Sequence, residues 1–132
     1  MDIRRVTQDL AVSPQITPEE MAEVKAAGFA SIVCNRPDGE ALEQPTFAEV
    51  QAAAQAAGLV SLCLPVASGG MNETHVDAMA QAWPDLPKPV LAYCRSGTRS
   101  ITLWALSQRG QLDREVLIAA ARNAGYDLSQ VL

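Results

Sequence analysis

Short apolar runs alternate with helix punctuation along the whole chain, and this alternation constrains the fold more than any other feature of the sequence. "DLAVS" reads as a short first strand. "TPEEMAEVKAAGF" then offers Thr17 as N-cap, Pro18 at the first helical position, Glu20 to close a capping box and Gly28 as the stop. "ASIVCN" reads as a buried strand. Thr46 and Glu49 box the start of "TFAEVQAAAQAAG", which Gly58 ends before the strand "LVSLCLP". In "MNETHVDAMAQAW", Val76, Met79, Ala80 and Trp83 share one helical face, and "WPDLPKP" breaks the helix. The strand "VLAY", a helix running from Thr98 to Gly110 and a last helix between Asp113 and Gly125 complete the pattern. Strands that are apolar throughout and separated by helices require a parallel sheet covered on both faces. The expected architecture is α/β: one domain over residues 1–132, with a mostly parallel sheet of about four to five strands between two helical layers.

Charge and cysteine usage narrow the function. A formal net charge of −5 argues against a sequence-independent grip on nucleic acid or on an anionic membrane. No apolar run reaches the roughly 18 to 20 residues that span a bilayer, and "MDIRRVTQDL" lacks the apolar core of a secretion signal, so a cytoplasmic location is expected. The 3 cysteines, Cys34, Cys63 and Cys94, show no CxxC spacing and support neither a disulfide framework nor a zinc site. With no metal-ligand cluster and no nucleotide-binding glycine motif, no cofactor is expected.

The chemistry concentrates in "VLAYCRSGTRS", residues 90–100, where a strand runs into the start of a helix. Ligands of parallel sheets bind at the carboxyl ends of the strands, and a helix N-terminus presents backbone N–H groups and positive potential to an anion. Cys94 lies at that junction. Arg95, Ser96, Gly97 and Thr98 form the loop behind it; Gly97 permits tight curvature, Arg99 offers a planar fork to an oxyanion, and Ser100 is placed to hydrogen-bond the sulfur. A free thiol titrates near about 8.5, and such surroundings can bring it to between roughly 3.5 and 7.5. Cys34 and Cys63 sit inside apolar runs and read as core residues. In "NRPDGE", Arg36 is a candidate for steering an anionic substrate and Asp38 for supplying a proton. Lone His75 reads as a surface residue.

The loop "CRSGTRS" resembles the active-site loop of rhodanese-type sulfurtransferases, in which cysteine and arginine are separated by four residues. From "DLAVSPQITPEEMAEVKAAGFASIVCNRPDGE" through "LVSLCLPV" to the loop, over roughly residues 1–110, the chain resembles the dual-specificity side of the protein tyrosine phosphatase superfamily. The nearest resemblance is to the bacterial phosphatase-like domain of beta-lactamase hydrolase-like proteins. That resemblance implies a phosphatase-like fold with Cys94 as nucleophile and Arg99 as the anion-binding arginine. In those phosphatases five residues separate the pair and a histidine precedes the cysteine; here four separate Cys94 from Arg99, and Tyr93 stands before it.

Leaving-group chemistry then weighs on the choice. Phosphate ester hydrolysis expels an alkoxide or phenolate that needs a proton, whereas sulfur transfer from thiosulfate expels sulfite unaided. Ala67, Ser68, Gly69 and Gly70 occupy the loop in which the resemblance would put an acidic residue. Asp85 of Trp83-Pro84-Asp85 precedes the strand "VLAY" and belongs at the wrong end of the sheet. The expectation is a sulfurtransferase working through a Cys94 persulfide, with a small anionic sulfur donor and a thiol acceptor. The alternatives are a phosphatase that takes a phosphate ester and forms a thiophosphate on Cys94, and a non-enzymatic anion-binding or redox-sensing module.

Overall fold

A computed structural model describes residues 1–132. Its sheet has five strands in the order β1-β2-β5-β3-β4. These are β1 (Arg4–Arg5), β2 (Leu10–Ser13), β3 (Ser31–Cys34), β4 (Val60–Cys63) and β5 (Val90–Tyr93). β2, β5, β3 and β4 are mutually parallel and β1 is antiparallel to β2. The helices are α1 (Met21–Ala26), α2 (Phe47–Ala56), α3 (Glu73–Ala82), α4 (Thr98–Ser107) and α5 (Arg114–Asn123).

Alternation along each strand divides the core between two faces. Leu10, Val12, Val33, Val90 and Ala92 pack with Val76 and Met79 of α3, Ile101 and Trp104 of α4, and Leu117 and Ala121 of α5. Ala11, Ile32, Cys34, Leu91 and Tyr93 pack with Met21 and Val24 of α1 and Val50 and Ala54 of α2. β2, β3 and β5 are buried along their whole length, as strands covered on both sides must be.

Several local expectations are refined. Pro18 starts a 3-10 turn, Pro18–Glu20, before α1, and the Glu20 carboxylate accepts the Thr17 N–H at 2.8 Å as the capping box requires. β1, absent from the sequence reading, is two exposed arginines whose pattern carries no strand periodicity. Ala80, expected on the buried face of α3, is exposed, while Trp83 meets Trp104 edge to face at 6.1 Å. Asp113 takes the N-cap position of α5 without a side-chain hydrogen bond. No helix is long and apolar enough to cross a membrane.

The parallel register brings four loops to one edge. Ser13 and Cys34 both pair with Tyr93, and Cys34 pairs with Cys63, so the chain leaves β2, β3, β4 and β5 side by side.

Candidate active site

Cys94 follows directly from β5 and is fully buried at the floor of this edge. Gly97, at φ +92°, turns the chain into α4, a conformation that glycine adopts without steric cost. The turn aims the Gly97 N–H at Cys94 Sγ, 3.1 Å away. The first N–H groups of a helix have no intrahelical acceptor, and here those of Thr98, Arg99 and Ser100 take no other protein acceptor either; nor do those of Arg95 and Ser96. The sulfur therefore lies next to the positive end of α4, where several N–H groups are left without a protein acceptor, an environment that favours an anion.

Arg99 leaves the first turn of α4, and three acceptors hold its guanidinium. Nη1 and Nη2 form a bidentate pair with Glu40 at 2.8 and 2.9 Å, and Nη1 also donates to the Val66 carbonyl at 2.8 Å. Glu40 accepts a further bond from Arg36 Nε at 2.9 Å, and Arg36 Nη1 donates to Gln15 Oε1 at 3.1 Å. Side chains following β2, β3 and β5, together with the Val66 carbonyl from the loop after β4, thus form one network around Arg99. Arg99, in the first instance, and then Arg36 stabilise the Glu40 carboxylate and pull its pKa down to about 2. Glu40 in turn, followed by the adjacent Cys94 sulfur, raises Arg99 above its ordinary guanidinium value.

The remaining candidates fall into different places. Arg95 is exposed at the lip of the loop; Ser96 and Thr98 are exposed and bonded to each other through their hydroxyls at 3.1 Å. Ser100 is buried, yet its hydroxyl makes no hydrogen bond, so the expected bond to the sulfur is not formed; the Gly97 N–H occupies that role. Arg36 is 7% exposed and engaged with Glu40 and Gln15, so it braces the network rather than facing solvent to steer a substrate. Asp38 accepts the Phe47 N–H at 2.9 Å and is engaged at the start of α2. Burial, above all, raises the thiol of Cys34 in the core and pushes Cys63, half-buried against the same cluster, up to about 11. Asp85 is exposed in a 3-10 turn, Trp83–Asp85, ahead of β5 and at the opposite end of that strand from Cys94. His75 Nδ1 accepts the Asn72 N–H and helps cap α3. No group of three or more His, Cys, Asp or Glu side chains is gathered to hold a metal ion.

Two residues escaped the sequence reading. Glu40 belongs to the quoted "NRPDGE" but bonds to Arg99, 59 positions later. Tyr126, in the turn after α5, donates its hydroxyl to the Ser96 carbonyl at 2.9 Å. Only the clustering of Arg36 and Glu40 in one loop, two opposite charges four positions apart, hinted at the first; nothing local signals the second.

A family model described as "Beta-lactamase hydrolase-like protein, phosphatase-like domain" matches residues 2–111. A beta-lactamase hydrolase-like protein of Xylella fastidiosa is 34% identical over 134 residues that cover 100% of this chain but 31% of the relative, so the chain spans about a third of that protein. The crystal structure of a candidate phosphatase from Neisseria meningitidis is 32% identical, superposes with a TM-score of 0.85, and is matched over 98% of this chain and 92% of that one. A candidate phosphatase from Shewanella putrefaciens, 17% identical with a TM-score of 0.72 over 95% of this chain and 94% of its own, shares the fold.

These kinships overturn the expectation of sulfur transfer, and with it the persulfide, the sulfur donor and the thiol acceptor. The spacing of four residues between Cys94 and Arg99, which resembles the sulfurtransferase loop, does not by itself set the chemistry: α4 begins immediately after Gly97, and the N–H groups of Thr98, Arg99 and Ser100 in its open first turn remain without a protein acceptor. The guanidinium is likewise placed by Glu40 and Val66, not by the spacing alone.

Proposed function

Because this chain belongs to the family of the phosphatase-like domain of beta-lactamase hydrolase-like proteins, we propose that it hydrolyses phosphate monoesters through a thiophosphate on Cys94. The observation that carries this reading is the buried sulfur beneath unpaired N–H donors, with a charge-held arginine beside it. Such donors, with Arg99, are of the kind that hold the three equatorial oxygens of a phosphoryl group in transfer, and preorganised donors are where most of the rate enhancement of such reactions arises.

In the first step the Cys94 thiolate attacks phosphorus, the sulfur–phosphorus bond forms, and the ester oxygen leaves with its electron pair, taking a proton. In the second, water attacks the same phosphorus, sulfur leaves as thiolate, and inorganic phosphate is released. Arg99 keeps N–H donors beyond those given to Glu40 and Val66 and meets the phosphoryl oxygens as charge builds on them. No carboxyl at the site holds a proton for the leaving oxygen: Arg99 and Arg36 keep Glu40 ionised, the loop after β4 presents the Val66 carbonyl to Arg99, and Asp38 is engaged at α2. Water supplies the proton, and esters of acidic alcohols are the better substrates.

The test is hydrolysis of nitrophenyl phosphate by the wild type and by Cys94→Ser, with acid-quench capture of the phosphoenzyme. The wild type should turn over and carry one phosphoryl group on Cys94; Cys94→Ser should lose roughly a thousandfold or more of the rate. A wild type that neither hydrolyses nor becomes labelled would refute the reading.

A further inference from the structure

The Ser96–Gly97 peptide is gripped at both ends. Its N–H donates to Cys94 Sγ at 3.1 Å and its carbonyl oxygen accepts from Tyr126 Oη at 2.9 Å. A peptide group is rigid and planar with its N–H and C=O pointing in opposite directions, so fixing the carbonyl fixes the N–H. Rotation of this peptide would change ψ of Ser96 and φ of Gly97, and glycine accepts either sign of φ at little cost. The backbone at Gly97 therefore does not hold the N–H on the sulfur by itself, and a contact from elsewhere must select the orientation.

Tyr126 is built to make that contact. Its own N–H bonds to the Ala121 carbonyl at the end of α5, and the Arg4 guanidinium lies 5.7 Å from its ring centroid while donating to the Ala124 carbonyl at 3.2 Å. The approach is close enough that a Cβ on Gly97 would run into the phenol oxygen. Burial, first, and the nearby Cys94 charge raise the Tyr126 phenol, with Arg4 opposing them, so the hydroxyl stays protonated and able to donate. The residue lies outside the span 2–111 over which the family model matches.

We propose that Tyr126 is a positioning residue for Cys94: its hydroxyl latches the Ser96–Gly97 peptide so that the Gly97 N–H stays on the sulfur. The latch deepens the phosphatase reading and rests on it for its catalytic meaning, but its effect on the thiol is measurable without any phosphate ester. Tyr126→Phe removes one oxygen and keeps the ring beneath Arg4. With nitrophenyl phosphate, kcat should fall about five- to tenfold, the worth of one hydrogen bond at the nucleophile, while KM moves less than about twofold because Arg99 and the α4 donors are untouched. Alkylation of Cys94 by iodoacetamide near neutral pH, followed by peptide mass analysis, should slow by a similar factor. A merely structural contact gives the opposite sign, since loosening the loop exposes a buried thiol and speeds its alkylation. Unchanged or faster alkylation in Tyr126→Phe overturns the latch whether or not the wild type hydrolyses phosphate esters; slower alkylation with kcat unchanged overturns its catalytic role.

Discussion

Glu40→Gln is the perturbation that most directly tests how the arginine is used. The carboxylate receives three charge-assisted bonds at 2.8 to 2.9 Å, two from Arg99 and one from Arg36. Glutamine keeps one acceptor oxygen, turns the other into a donor facing a guanidinium, and leaves two arginines without their shared counter-charge. Bonds of this kind are worth about 1.5 to 3 kcal/mol each when desolvated, but Glu40 keeps 23% of its side chain in solvent, where ion pairs deliver about 0 to 1 kcal/mol. Arg36, 7% exposed, keeps only Gln15 as a side-chain partner and weighs toward the larger figure. The expected cost is about 1 to 2 kcal/mol of stability, and a comparable loss of transition-state binding would lower kcat/KM about tenfold. Denaturant unfolding reads the first, hydrolysis of nitrophenyl phosphate and inhibition by inorganic phosphate the second. The sign with pH follows from the depressed pKa. A carboxyl lowered from 4.5 to about 2 stabilises the fold fully above pH 4.5, and that contribution is lost as pH falls toward 2. The stability gap between wild type and Glu40→Gln should therefore close over that window. The opposite functional result, a variant that binds phosphate more tightly or turns over faster, would show that Glu40 competes with substrate for Arg99 rather than orienting it.

Gly97→Ala should be more damaging than its size suggests. A left-handed φ of +92° costs a residue with a Cβ about 1 to 2 kcal/mol, and displacement of the Tyr126 hydroxyl adds the loss of its bond to Ser96; a fall in unfolding midpoint of less than about 2 °C would contradict this. Across a series of phosphate esters, rates should rise steeply with leaving-group acidity, and Asp38→Asn should stay within about twofold of wild type because an amide oxygen still accepts the Phe47 N–H. A flat leaving-group dependence together with a large loss in Asp38→Asn would identify Asp38 as the acid.

The fold was legible wherever the physics is local. Capping residues and glycine stops marked helix ends because unpaired N–H and C=O groups at those ends have few short-range solutions, and the Thr46–Glu49 box forms as its spacing implies. β1 was not legible: Arg4 and Arg5 are a strand only because β2 offers an open edge for them to pair with, and no hydrophobic pattern records that. Ala80 misled because an alanine fits either a buried or an exposed helical position at little cost.

The candidate site divides along the same line. Cys94, Gly97 and the first turn of α4 lie within a few residues of one another, so strand-to-helix chemistry was enough to find them. The contacts that set their geometry come from far along the chain: Glu40 and Val66 meet Arg99 across 59 and 33 positions, and Tyr126 meets Ser96 across 30. A loop judged from its own residues looks one short for phosphate; a loop whose arginine is placed by the turn after β3 and whose peptide is latched from beyond α5 is not free to contract. The spacing of cysteine and arginine is thus a weak guide to the reaction in this chain. The orientation of the donors is the stronger one: the first turn of α4 sets the N–H groups of Thr98, Arg99 and Ser100, while Glu40 and Tyr126, outside the motif, hold the Arg99 guanidinium and the Ser96–Gly97 peptide.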